Sequence, residues 1–77
     1  MYNFFMENRV RKQVKQLLLN ENYFMKELVE MLVKQKGRKT TADSFSHRLA
    51  RAKISYEEML DIADVLGYEI IFKKKVL

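Results

Sequence analysis

The side chains best suited to chemistry fall in one stretch: Arg38, Lys39, Thr40, Thr41, Asp43, Ser44, Ser46, His47, Arg48, Arg51 and Lys53. They are cations, hydroxyls, one imidazole and one carboxylate. That set suits hydrogen bonding and ion pairing with a polyanion better than it suits bond cleavage. A catalytic centre has little to draw on. There is one histidine, no cysteine, no glycine-rich phosphate loop and no pair of histidines at metal-ligand spacing. Glu57, Glu58, Asp61 and Asp64 read as helix caps and solvated surface. Neither an enzyme nor a bound metal or cofactor is expected.

Charge is divided along the chain. Residues 34–53 hold seven Lys or Arg against one acid, Asp43, and residues 54–72 hold five acids and no Lys or Arg. The formal net charge of the 77 residues is +5. Acidic partners are favoured, with the basic side on the first of these two stretches.

Those side chains need elements to position them. Val10, Val14, Leu17 and Leu18 recur at helical spacing, so a first helix is expected from Met6 to Asn20. Met25, Leu28, Val29 and Leu32 mark a second, which Gly37 stops. Thr40 or Thr41 caps a third, whose buried stripe is Ala42, Phe45, Leu49 and Ala52. Ser55 and Glu58 form a capping box for a fourth, with Met59, Ile62, Ala63 and Leu66 inward and Gly67 at its end. The run from Tyr68 to Phe72, with Lys73–Lys75 behind it, is β-branched and aromatic and reads as a strand over 68–75. A lone strand must pair, either with Tyr2–Phe5 or with its copy in a second subunit.

Seventy-seven residues make a single domain over 1–77 with one modest core, and without cysteine it depends on packing. Oligomerisation often supports such domains. No apolar run approaches the roughly 20 residues of a membrane span. The opening MYNFFMENRVRK does not read as a signal peptide, so a cytoplasmic protein with no membrane role is expected.

KELVEML, RLARAK and ISYEEMLDIADVLG together resemble the helix-turn-helix domains of the lambda repressor and Cro family, over about residues 25–67. The resemblance implies a mainly α, four-helix lambda repressor-like domain, here with a C-terminal β-strand in place of the usual fifth helix. It also implies a small homodimeric regulator of the phage or mobile-element type, binding double-stranded DNA and acting as a repressor. The helix around 41–52 would enter the major groove. Thr41, Ser44 and His47 would then lie at the bases, Asp43 at cytosine or as a cap of the helix, Ser46 in the DNA-binding surface, and Arg48 and Arg51 at bases or phosphates. Arg38, Lys39 and Lys53 would clamp phosphates, with Thr40 donating to one or capping the helix. Tyr68, Ile70, Ile71 and Phe72 would form the dimer seam. Four departures stand out: Phe24 where the family has a polar cap, Met25 where it often has glutamine, Ala52 where a glycine commonly follows, and a longer link from Val33 to Thr40. The rival expectation is the same scaffold turned to a protein partner, as an antirepressor or an inhibitor of a nucleic-acid enzyme. Lys12 and Lys15 either extend the basic surface or face solvent.

Overall fold

A computed structural model describes residues 8–76. It is mainly α, with four helices among the described residues: α1 (Arg9–Glu21), α2 (Met25–Lys36), α3 (Ala42–Ala50) and α4 (Tyr56–Leu66). Each buries the stripe that its spacing dictates. Val14, Leu17 and Leu18 of α1, Leu28, Val29 and Leu32 of α2, Phe45 and Leu49 of α3, and Ile62, Ala63 and Leu66 of α4 meet in one core. α2 packs on α3 and α4, and so does α1, so α3 is held from two sides. Phe45 has no exposed surface at all. Deleting a ring of this kind costs about 3–5 kcal/mol, a large part of what a small domain has.

The helix ends follow a common device. Asn22, Gly37, Ala52 and Gly67 all take the left-handed conformation, each fifteen residues after the last. In this geometry the following amides turn back onto free carbonyls. Tyr23 donates to the Leu18 carbonyl at 2.9 Å, Lys53 to Arg48 at 2.8 Å and Tyr68 to Ala63 at 2.7 Å.

Several expectations are corrected. α1 begins at Arg9 rather than Met6, because the Asn8 side chain caps it by accepting from the Arg11 amide at 3.0 Å. Ala52 is not part of the buried stripe: α3 has ended, and the residue is exposed at φ 57°. Residues 33–36 are helix, so the link between α2 and α3 is 37–41. Ser55 caps α4, accepting from the Glu58 amide at 3.1 Å, but the Glu58 carboxylate is turned to Arg48.

No strand forms over 68–75 among the described residues. Its first residues, 68–70, line a groove with Gln13, Leu17, Met59 and Ala63, and Phe72 comes back beside Tyr56 at the start of α4. A strand exists only through its ladder, and the described part of a single chain offers this segment no partner. The proposed pairing segment Tyr2–Phe5 lies outside the described residues.

Candidate nucleic-acid interface

α3 is a short helix with two firm anchors and a bare polar side. Thr41 caps it, its Oγ1 accepting from the Ser44 amide at 3.2 Å, and Asp43 in the first turn complements the helix dipole. Phe45 and Leu49 hold the inner face at 0% and 1% exposure. Asp43, Ser44, Ser46, His47, Ala50 and Arg51 are exposed on the remaining surface, with Thr41 at the start and Lys53 beyond the end. All of these but Ala50 are expected contact residues, and they come together on α3 and its two ends. Lys39 is also exposed, while Thr40 is half-buried and donates its hydroxyl to the Thr41 carbonyl at 3.4 Å.

The charge division is resolved inside the molecule. Arg38 bonds the Asp61 carboxylate through Nε at 2.8 Å and through its terminal nitrogen at 2.7 Å. Lys36 pairs with Asp64. That hydrogen bond, with the neighbouring Asp61 charge adding to it, holds the Lys36 ammonium above its ordinary pKa. Arg48 makes two parallel bonds to Glu58, at 2.6 and 2.8 Å, while its guanidinium lies 5.5 Å from the centre of the Phe45 ring. The Glu58 bond holds Arg48 above its ordinary pKa as well. The acids of α4 thus take up three cations of the 34–53 stretch. Arg38, expected as a phosphate clamp, and Arg48, expected at bases or phosphates, are tied to α4 because a nearby carboxylate binds a guanidinium better than solvent does. Lys39, Arg51 and Lys53 keep their charges unpaired among the described residues.

The surface continues onto α1, where the sequence offered Lys12 and Lys15 as a possible extension but not Arg11. A cleft of about 210 Å³ is lined by Arg11 and Lys15 of α1, Met25 of α2, and Ser46, Leu49 and Ala50 of α3. The legible signal was the four-residue spacing of Arg11 and Lys15, which puts both on one flank of α1. Asn8 fixes that flank against α3, because its Nδ2 donates to the carbonyls of Leu49 at 2.8 Å and Ala50 at 3.0 Å. At the start of α2, Phe24 supplies no side-chain cap, and the residue is 77% exposed. Glu27 compensates by accepting from the Phe24 amide at 2.8 Å.

The expected seam residues divide into two kinds. Tyr68 and Ile70 are half-buried against the domain, and the Tyr68 hydroxyl donates to Glu21 at 2.7 Å. Ile71 and Phe72 face outward at 78% and 83% exposure, Phe72 stacking on Tyr56 with ring centres 6.0 Å apart. Among the described residues no helix is long and apolar enough to cross a membrane.

Comparison with protein-family profiles, with characterised proteins and with solved structures gives no match to the chain. Function therefore has to be read from the residues themselves.

Proposed function

We propose that this chain is a sequence-specific double-stranded DNA-binding regulator of the lambda repressor-like helix-turn-helix kind, inserting α3 into the major groove and repressing by occupying an operator. The observation that carries the reading is the division of α3: Phe45 and Leu49 wholly buried, and Ser44, Ser46, His47, Ala50 and Arg51 exposed together. A helix lodged by two apolar anchors that offers hydroxyls, an imidazole and a guanidinium outward has the donors and acceptors that base edges demand. Arg51 at its end, unpaired among the described residues, carries the guanidinium suited to guanine, while Lys39 and Lys53 flank it as phosphate contacts. Asp43 serves the helix start.

The active form is a homodimer, with two copies of α3 in successive grooves about 34 Å apart. Its seam runs through residues 68–72. The outward Ile71 and Phe72 are covered when two such segments pair as strands, which supplies a ladder that the described residues of one copy do not.

Selection from a random duplex library tests the reading. A discrete near-palindromic motif should emerge, and its advantage over random DNA should persist as salt rises. Arg51→Ala should weaken the selected site by about tenfold or more. No motif at all overturns the proposal. A second reading, a scaffold that docks a protein such as an inhibitor of a nucleic-acid enzyme, is favoured by the exposed apolar group Tyr56, Leu60, Ile71 and Phe72. Unchanged duplex affinity in folded Arg51→Ala would support it.

A further inference from the structure

We infer that Arg11 and Lys15 of α1 form the principal phosphate clamp of this interface, in place of the cations beside α3 that the α4 carboxylates occupy. The inference rests on the DNA-binding reading and names the residues that would carry its charge. It starts from what is spent: Lys36, Arg38 and Arg48 each hold a carboxylate of α4. Arg48 cannot turn to a phosphate without stranding the buried Glu58, and Arg38 is bonded twice by the half-buried Asp61, while Lys36 on the exposed Asp64 is the least committed of the three.

Arg11 and Lys15 are in the opposite condition. Both are exposed, and neither makes a side-chain ion pair among the described residues. They sit four residues apart, hence about 6 Å along the helix axis, and share one flank of α1. Ser46 and Ala50 repeat that spacing on α3 across the cleft. The far wall is therefore low, a hydroxymethyl and a methyl, and leaves the cations unobstructed on the side where α3 would meet bases. Met25, the first residue of α2, and Leu49 and Ala50, the last of α3, line the same cleft, so the two helix dipoles oppose one another there and the charge of the cleft is that of Arg11 and Lys15. The register is fixed, because Asn8 bonds the last carbonyls of α3 from the start of α1. A duplex strand lying along the cleft would place its phosphates at Arg11 and Lys15 while its bases face α3.

The test is the salt dependence of duplex binding in the full chain with Arg11→Gln and Lys15→Gln together. Both positions are exposed, and an unchanged thermal midpoint checks that the fold is kept. Two lost phosphate contacts should lower the slope of log affinity against log salt by about two. Affinity should fall by the same factor on selected and random duplexes, because phosphates carry no sequence. The conservative pair Arg11→Lys with Lys15→Arg should restore the slope. Arg9→Gln with Lys12→Gln removes equal charge from the same helix away from the cleft, and should change the slope by much less. A slope unchanged in the first variant while wild type still selects its motif overturns the clamp alone, as does an equal loss in the Arg9 and Lys12 variant. A wild-type chain that binds no duplex removes the inference together with the reading beneath it.

Discussion

Arg48 grips Glu58 through two parallel bonds, Nη1 to Oε1 at 2.6 Å and Nη2 to Oε2 at 2.8 Å. One residue lies on the helix offered as the reader, and the other in the first turn of α4. Glu58 is 4% exposed and is the buried acid of this domain among the described residues. Its hydration has been exchanged for one forked guanidinium, so the pair sets the position of α3 against α4 instead of reaching outward.

Removing the arginine alone leaves that carboxylate buried and uncompensated. Arg48→Ala should cost about 2–4 kcal/mol, read as a lower urea midpoint. Replacing both partners by apolar residues, Arg48→Met with Glu58→Leu, should recover most of the loss, since no charge is then stranded. A cost below about 0.5 kcal/mol for Arg48→Ala would show that the pair does not hold the two helices.

Asn8 serves two helices with one amide: its Oδ1 accepts at the start of α1, and its Nδ2 donates at the end of α3. Asn8→Asp keeps the acceptor but loses the donor, and sets a negative charge against the negative end of the α3 dipole. It should destabilise the domain by about 1–2 kcal/mol, comparable to Asn8→Ala, which loses the cap as well. Were only the α1 cap at stake, Asn8→Asp would be neutral in the same urea titration.

Periodicity made the four helices and their buried stripes legible, because Val14, Leu28, Phe45 and Ile62 must face inward wherever a helix forms. The cap at Ser55 and the stops at Gly37 and Gly67 were equally local. The destinations of the charges were not. Glu58 three residues after Ser55 fits a capping box in sequence, and only the packing of α3 on the domain brings Arg48 within reach. Arg38 and Asp61 are 23 residues apart, and a pair at that separation is set by the tertiary fold alone. Lys15 was in view as a possible extension of the basic surface, but its pairing with Arg11 rather than Lys12 depends on which helix lies opposite. The segment over 68–72 carries β-forming residues, but a strand exists only through its ladder, and the described residues offer it none.

Ala52 holds a conformation that suits glycine better. Its φ of 57° lets the Lys53 and Ala52 amides close the end of α3, at a cost of roughly 1 kcal/mol for a residue with a Cβ. Ala52→Gly should raise stability by about 0.5 kcal/mol, with the added freedom of the unfolded glycine offsetting the rest. The measurement is the shift in urea midpoint at unchanged m. A loss there would mean that α3 ends in another geometry.

Tyr68 ties the C-terminal segment to α1 through the Glu21 carboxylate at 2.7 Å. That bond raises the phenol's pKa above its ordinary value of 10.0; a hydrogen bond with Asn20 pulls the other way, and desolvation and the Glu21 charge add to the rise. The folded chain therefore holds this proton more tightly than the unfolded chain. The stabilisation is present in full below about pH 10, and is lost as pH rises through the raised folded value. Tyr68→Phe should lower stability at neutral pH, and the unfolding midpoints of variant and wild type should converge on the alkaline side. Subtracting the variant's phenolate absorbance titration from that of wild type, which has four tyrosines, isolates Tyr68. Its midpoint should lie above the ordinary tyrosine range; a midpoint at or below it would mean that the hydroxyl is not held by Glu21 in solution. Release of this anchor also frees Ile70 from the groove of α1 and α4, so the homodimer, if its seam runs through 68–72, should weaken over the same alkaline interval.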